Sequence, residues 1–223
     1  MTYRVVVGVD GSLASVRALD RAAEEAVRFG CAVRVVYAVP DRDEAGPVLA
    51  HAVSRLRARC PGVPVEVGAA EGDPVGVLAR ESEAAVLTVI GSRGLGALAG
   101  FVCGAVAPRL VARAGGPLMV VRGALRRDRR RDVLLALERD TDADAAVYAL
   151  GEAERRTARL RVLHPAARRP RPVGGIPRPH PLVDATRTTA VVVAATRAGR
   201  PGPVAHALLH HAHCPVVFVP ASA

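Results

Sequence analysis

Three glycines in the middle of the chain have the spacing of an anion-binding loop. Two residues separate Gly91 from Gly94, and nine more separate Gly94 from Gly104, which precedes an expected helix. Glycines let backbone N–H groups approach a phosphate closely, and the amino end of a helix attracts an anion. A second loop, Val9-Asp10-Gly11-Ser12, follows the first apolar run. Neither a P-loop GxxxxGK motif nor a Rossmann GxGxxG motif is present. Glycines also occur in tight turns that bind nothing, so a purely structural role for these glycines is left open.

Both loops are expected at one edge of a parallel sheet. Short β-branched runs alternate with longer amphipathic segments through residue 123, which is typical of repeated βαβ units. Strands are predicted at 4–9, 32–39, 63–67, 86–90 and 117–121. Ligands of such sheets bind beyond the carboxyl ends of the strands, where the winding direction reverses.

The first helix is predicted to start after a Ser12 cap and to stop at Gly30. Its apolar face is predicted to consist of Leu13, Val16, Leu19, Ala23 and Val27.

Three more helices connect the remaining strands. The second should bury Leu49, Val53 and Leu56 before Cys60-Pro61-Gly62 interrupts it. Gly72-Asp73-Pro74 opens the third, because proline costs little at the first helical position. The fourth runs from about 104 to 114. Pro64 favours an edge position for the strand 63–67, since proline cannot donate to a ladder on both sides.

The first half resembles the universal stress protein family. The opening Val-Gly-Val-Asp-Gly-Ser, the loop Gly91-Ser92-Arg93-Gly94 and the closing Gly-Pro-Leu-Met-Val-Val follow the family's order and spacing. The family's nucleotide motif, Gly-x2-Gly-x9-Gly followed by Ser or Thr, is matched at its glycines. The resemblance implies that ATP or a related adenine nucleotide binds with its phosphates and ribose on the glycines, its adenosine at the aspartate and its adenine against an apolar wall. The implied cofactor-binding residues are Asp10, Ala38, Val39, Gly91, Arg93, Gly94, Gly104 and Ala105.

Two of these positions leave an alternative open. A turn or a helix cap would also explain Asp10, because aspartate favours such positions. Ala105 stands where the family has Ser or Thr, so one hydroxyl near the phosphates is missing. One neutral hydrogen bond contributes about 1 kcal/mol net, so nucleotide binding is expected to be weaker by roughly tenfold and not abolished.

The second half repeats the first in a shortened form. The segments 4–10, 89–94 and 114–121 return as 132–138, 193–198 and 212–219. Most of the residues missing from the second copy would lie between His164 and Leu182. The many prolines of this segment exclude a helix or a central strand, so we predict an exposed loop. With the resemblance, this implies an α/β fold of two tandem doubly wound parallel-sheet domains of the adenine nucleotide alpha hydrolase-like type, the second truncated. The predicted boundaries are 1–123, an arginine-rich linker at 124–131, and 132–223.

The second copy departs from the site residues of the first. Glu138 replaces Asp10, Ala195 and Ala198 replace the first two glycines, and only three residues separate Ala198 from Gly202. We therefore expect this half to bind no nucleotide. In the family, two such domains pair through their last strands, which implies that 117–122 and 215–219 pair within this chain. A homodimer is left open.

Other chemistry has less support. His206 and His210 have the i, i+4 spacing of a metal pair on the last helix, near His211, His213 and Cys214, but no acidic ligand completes the set. A polar helix face is the favoured interpretation, and no metal site is predicted. No Ser-His-Asp or Cys-His constellation is evident, so no enzyme is expected beyond slow incidental ATP hydrolysis.

Composition indicates a folded cytoplasmic protein. Half of the 223 residues are hydrophobic and 23% are charged. The net charge of +10 comes from arginines spread through the chain, so nucleic-acid binding is disfavoured, and the run 126–131 is interpreted as a solvated hinge. The four cysteines lack metal-ligand spacing and are expected to be inert thiols. Neither a signal peptide nor a membrane span is predicted.

Two functions follow from these observations. The first is a stress-response regulator in which ATP orders the loop 95–103 and changes a surface for a protein partner that the sequence does not identify. The alternative is a nucleotide-free scaffold or interaction protein of the same fold, with Ala105 as an early sign of decay.

Overall fold

The computed structural model describes residues 3–39, 45–92, 106–122, 132–138, 142–164, 181–197 and 201–221. The chain divides into two compact units, Met1–Arg126 (unit 1) and Arg127–Ala223 (unit 2). The predicted linker at 124–131 lies outside the described residues, so its bounds stay a prediction.

Unit 1 alternates strands with helices. Its strands are β1 (Arg4–Gly8), β2 (Ala32–Val39), β3 (Val65–Glu71), β4 (Leu87–Gly91) and β5 (Leu118–Val121). Its helices are α1 (Leu13–Phe29), α2 (Gly46–Arg59), α3 (Pro74–Ser82) and α4 (Val106–Val111). The strands are parallel in the order β3-β2-β1-β4-β5. The predicted α/β class and the edge position of the third strand are confirmed.

Helix α1 begins and ends where predicted but buries a different face. Ser12 Oγ accepts a hydrogen bond from Ser15 N, and Gly30 adopts the left-handed conformation that ends the helix. The predicted apolar face is wrong at its ends, because Leu13 is 75% exposed and Val27 58% exposed. The face on the sheet is rich in small residues, which let the helix lie close to the strands. Its buried apolar residues are Ala18, Leu19, Ala22, Ala23 and Ala26.

Other predicted elements differ in detail. β3 begins at Val65, after Pro64, and continues to Glu71, so it is longer than expected. α2 fully buries Leu56, whereas Leu49 and Val53 are only half-buried and Ala52 takes the second buried position. α3 has the predicted start, since Asp73 Oδ2 accepts a hydrogen bond from Gly76 N.

Unit 2 is a smaller parallel sheet with helices. Its strands are β6 (Asp132–Ala136), β7 (Arg159–Leu163), β8 (Val191–Thr196) and β9 (Val216–Pro220), in the order β7-β6-β8-β9. Its helices are α5 (Ala143–Arg156), α6 (Pro181–Ala185) and α7 (Pro203–His211). α6 lies at the end of the stretch predicted as a loop, while 165–180 lie outside the described residues. In its described ranges, unit 2 has no counterpart of α2 and β3.

Aliphatic strands form the core of each unit. The strand residues of β5, β6 and β8 are buried throughout, and Phe218 is the largest fully buried side chain of the described residues. Among the helices that the structure describes, none combines the length and the apolar composition needed to cross a bilayer.

Candidate functional site

A cleft of about 360 Å³ opens at the carboxyl edge of the unit 1 sheet. The chain runs from β1 to β2 and β3 on one side and then crosses to β4 and β5 on the other, so the winding reverses between β1 and β4. The ends of β1, β2 and β4 line the cleft together with the first turns of α1, α3 and α4. This is the position at which open α/β sheets bind ligands.

The cleft brings together three of the predicted site residues. Asp10 after β1, Ala38 near the end of β2 and Gly91 at the end of β4 all line it. Val39 is buried, with 2% of its surface exposed, and does not line the cleft. The role of Val39 in the adenine wall stays a prediction. The other predicted site residues lie outside the described ranges: Arg93, Gly94, Gly104 and Ala105.

Asp10 organises the turn between β1 and α1. Its Oδ1 accepts hydrogen bonds from Ser12 N at 3.0 Å and from Ser12 Oγ at 2.5 Å. Gly11, between them, has a φ of +76°, which favours glycine. The turn role left open by the sequence is thus present. The same side chain is exposed at the cleft, so a ligand contact remains compatible with it.

Gly91 is required by packing as well as by its place at the cleft. A methyl group on Gly91 would lie 2.3 Å from the carbonyl oxygen of Ala14 in the first turn of α1. That oxygen belongs to the backbone and cannot rotate away. The position therefore excludes any side chain whether or not a ligand is bound.

The apolar wall of the cleft includes residues that sequence reasoning missed. Val36 and Ala38 lie on one face of β2, and Leu78 of α3 and Ile90 of β4 line the same cleft. A methyl group on Gly8 would lie 2.9 Å from Leu78 Cδ1, so this glycine leaves room for the leucine. The two-residue period of β2 places Val36 on the same face as Ala38, and this could have indicated it from the sequence. Nothing in the local sequence of α3 indicates that Leu78 faces the same space.

Charge around the cleft is sparse among the described residues. Of those that line it, Asp10 alone carries a charge. Beside the cleft, Arg109 Nη2 of α4 donates to Asp73 Oδ2 at 3.1 Å, and both side chains are about half exposed. Pro74 and Val106, which line the cleft, belong to the two helices that this ion pair joins. An exposed pair of this kind contributes less than about 1 kcal/mol.

The corresponding edge of unit 2 carries two carboxylates among its described residues. Glu138 follows β6, and a methyl group on Gly202, just before α7, would lie 2.1 Å from Glu138 Oε2. Asp142, whose side chain is fully buried, accepts from Glu138 N at 2.9 Å and from Arg197 Nη2 at 2.9 Å. In the part of unit 2 that the structure describes, the Glu138 carboxylate therefore lies against Gly202 at the start of α7.

Comparisons with known proteins agree with the fold and the motif. Residues 1–122 match the model of the universal stress protein family. A universal stress protein of Mycolicibacterium smegmatis is 34% identical over 132 residues, which cover 53% of this chain and 45% of that protein. One of Mycobacterium bovis is 31% identical over 195 residues, which cover 72% of this chain and 62% of the relative. The chain thus matches about half of the length of the first of these relatives.

Solved structures give the same result. A universal stress protein from Archaeoglobus fulgidus superposes on this chain with a TM-score of 0.79 at 17% sequence identity. The superposition covers 98% of this chain and 96% of that protein, and at this identity it shows similarity of the fold alone. A universal stress protein solved in complex with cAMP is 27% identical and covers 55% of this chain, with a TM-score of 0.47. The family model matches more than half of the chain, through the first strand, the glycine loop and the closing strand of unit 1. The chain belongs to the universal stress protein family.

Proposed function

We propose that unit 1 binds ATP or a related adenine nucleotide in the cleft at the carboxyl edge of its sheet. The observation that carries this proposal is that Asp10, Ala38 and Gly91, which come from three different strand ends, share one cleft. Its volume of about 360 Å³ falls within the range of roughly 300–1,000 Å³ typical of small-molecule sites.

The described residues suggest how the nucleoside part would bind. The adenine would lie against Val36, Ala38, Leu78 and Ile90, because aliphatic side chains suit a flat aromatic ring. The Asp10 carboxylate would accept hydrogen bonds from ribose hydroxyl groups, since its charge disfavours contact with phosphate. The family motif assigns the phosphates to Gly94 and Gly104. Ser12 Oγ donates to Asp10 Oδ1 at the cleft, but the same oxygen accepts from Ser15 N and caps α1. We therefore infer binding without dedicated catalysis.

Filling the cleft tests the proposal. Ala38→Leu adds three carbons to the adenine wall, whereas Ala70→Leu adds them to the residue paired with Ala38 in the sheet, which does not line the cleft. We expect Ala38→Leu to weaken ATP binding at least about tenfold, a cost of about 1.4 kcal/mol, and Ala70→Leu to leave it within about twofold. Isothermal titration calorimetry on both variants measures this. Equal affinities in the two variants would place the nucleotide elsewhere.

The alternative is a nucleotide-free scaffold. Gly91 has a packing role that does not need a ligand, and Ala105 lacks the hydroxyl of the family motif. Freshly purified protein, denatured and examined by absorbance and mass spectrometry, distinguishes the two functions. Co-purified adenine nucleotide supports the regulator. Its absence, together with no heat of ATP binding, supports the scaffold.

We also propose a regulatory role in which unit 2 binds no nucleotide and acts as the partner domain of unit 1. The replacement of Asp10, Gly91 and Gly94 by Glu138, Ala195 and Ala198 in unit 2 supports the first part. The second part is supported by the resemblance to the family, in which two such domains pair through their last strands. The pairing segments would be 117–122 and 215–219. A full chain that sediments as a 23.2 kDa monomer is the expected result, and a dimer would indicate pairing between chains. The cytoplasmic location stays a prediction.

A further inference from the structure

One face of the unit 2 sheet lacks the helix that covers its counterpart in unit 1. In unit 1, α2 packs on α1, β2 and β3. In its described ranges, unit 2 has α5 and β7 in the places of α1 and β2, but no counterpart of α2 or β3. The face that α2 covers in unit 1 is therefore open in the described part of unit 2.

Three aliphatic side chains are exposed on this face. Val147 and Leu150 of α5 are 73% and 53% exposed, and Val162 of β7 is 54% exposed. Counted from the left-handed caps of α1 and α5, their counterparts in unit 1 are all buried: Asp20, Ala23 and Val35. Contiguous exposed apolar surface marks interaction sites. Val147, Leu150 and Val162, together with the outer edge of β7, are called the α5–β7 surface below.

The backbone at this surface is also available for pairing. Among the described residues, β7 pairs with β6 alone, whereas the equivalent strand β2 pairs with both β1 and β3. The outer side of β7 therefore presents N–H and C=O groups. An extended segment can add to such an edge through main-chain hydrogen bonds, with alternate side chains giving specificity.

Arginines alternate with the aliphatic residues along β7. Arg159 and Arg161 lie on the opposite face of the strand from Val162, since successive side chains alternate. Their side chains are 83% and 46% exposed, and both contact the Asp132 carboxylate, at 3.0 and 3.6 Å. The following segment 165–181 contains four arginines and no acidic residue, so it supplies no further carboxylate. An acidic side chain on an added strand would therefore meet a guanidinium.

We propose that the α5–β7 surface binds an extended protein segment in which acidic residues alternate with large apolar ones. The segment would pair with β7 in the place that β3 takes beside β2. Its apolar side chains would cover Leu150 and Val162, and its acidic side chains would meet Arg159 and Arg161. A second copy of β7 fits less well, because it would place arginines beside arginines on one face, and like charges destabilise cross-strand pairs.

The surface is separate from the other proposed sites. It contains no residue of the nucleotide cleft and none of the segments 117–122 and 215–219, so either proposal can fail without the other. The edge strand of unit 1, β3, carries Glu66 and Glu71 instead of arginines. An acidic segment should therefore prefer β7 to β3.

Fluorescence anisotropy with labelled peptides tests the surface on the full chain. The probe is a peptide of about ten residues in which Glu alternates with Val and Phe, and the comparison peptide has Lys in place of Glu. We expect the Glu peptide to bind the wild type about tenfold more tightly than the Lys peptide, because opposite charges stabilise cross-strand pairs. Failure of the Glu peptide to bind, or equal binding of the two peptides, overturns the proposal.

A charge reversal distinguishes this edge from general attraction to a basic chain. Arg161→Glu should reverse the preference, so that the Lys peptide binds more tightly than the Glu peptide. Arg57→Glu makes the same change of charge at an exposed position of α2 and should keep the wild-type preference. Because the expected result is a gain of Lys-peptide binding, a misfolded variant cannot imitate it. Equal changes in the two variants would show attraction by net charge and refute the site.

A substitution on α5 tests the apolar contacts. Leu150→Gln should weaken binding of the Glu peptide about fivefold, since it removes apolar surface that the peptide would cover. Leu13→Gln makes the same change at an exposed position of α1, where Leu13 is 75% exposed, and should bind like the wild type. Glutamine is a good helix former, so both helices should persist, as circular dichroism would show. Equal affinities in the two variants would refute a surface that includes α5.

Discussion

Single residues around the cleft serve the fold before they serve a ligand. Gly91 has no room for a side chain against Ala14, Gly8 leaves space for Leu78, and Gly11 needs a positive φ. Asp10 and Ser12 hold the turn that places α1 behind the cleft. These glycines are thus explained in part by the close packing of neighbouring segments. The proposed nucleotide would occupy the space that remains at the strand ends.

Substitution of Gly91 should therefore destabilise the protein even without nucleotide. In Gly91→Ala the new methyl group meets the Ala14 carbonyl oxygen at 2.3 Å, so β4 or α1 must shift. We expect the free energy of unfolding to fall by about 1–3 kcal/mol, the usual cost of overpacking. The control Gly46→Ala at the start of α2 has no atom within 4 Å of the added methyl group and should be neutral or slightly stabilising. Urea unfolding of both variants measures the difference, and similar midpoints would contradict the packing argument.

At the scale of elements, one ion pair distinguishes the two units. Asp20 of α1, only 5% exposed, accepts from Arg55 of α2 at 2.6 and 2.8 Å, and Arg59 lies 3.5 Å away. The hydrogen bonds to Asp20 raise the pKa of the Arg55 guanidinium. Asp20 lies ten residues before the left-handed cap of α1. The residue ten positions before the left-handed cap of α5 in unit 2 is Val147, which is 73% exposed. The anchor for a second helix is therefore absent from α5 at this position.

Removal of Arg55 should loosen α2 from α1. Arg55→Gln leaves the Asp20 carboxylate with Arg59 as its remaining ionic partner among the described residues. We expect a loss of about 1–2 kcal/mol, since a hydrogen bond to a charged group contributes about 1.5–3 kcal/mol and Arg55 is partly solvated. Arg57→Gln, on the exposed side of the same helix, should change stability by less than about 0.5 kcal/mol. Thermal unfolding compares the two, and equal shifts would show that the ion pair contributes little.

The molecule as a whole combines two parallel units that differ at their carboxyl edges, and the described part of unit 2 repeats the strand order of unit 1 without a counterpart of β3. Unit 1 has an open cleft at its carboxyl edge, and unit 2 has Glu138 and Asp142 at the corresponding edge. Two copies of one fold thus differ in what their strand ends carry, as is general for folds that host several functions.

A full chain should accordingly bind one nucleotide. Equilibrium dialysis with labelled ATP is expected to saturate at one molecule per chain, because Glu138, Ala195 and Ala198 replace Asp10, Gly91 and Gly94 in unit 2. Asp10→Asn should lower the affinity of that one site, and Glu138→Gln should leave both affinity and stoichiometry unchanged, since its unit takes no part. Saturation at two molecules per chain would contradict the loss of the site in unit 2.

The order of strands and helices was determined by the sequence. Aliphatic runs, the Ser12 cap, the Gly30 stop and the Gly72-Asp73-Pro74 start are local signals, because each depends on backbone geometry within a few residues. They predicted the α/β class, the parallel sheet of unit 1 and the presence of Asp10, Ala38 and Gly91 at its strand ends. The family motif is a local signal of the same kind.

Only the tertiary structure decided which side of each element meets another. Val39 is buried away from the cleft, Leu13 and Val27 of α1 are exposed, and Leu78 faces the cleft from a distant segment. The two carboxylates at the edge of unit 2 and the exposed aliphatic side chains of its α5–β7 surface also depend on side-chain placement. These features arise from contacts between residues far apart in sequence or from rotamers chosen by packing, and local propensity carries no information about either.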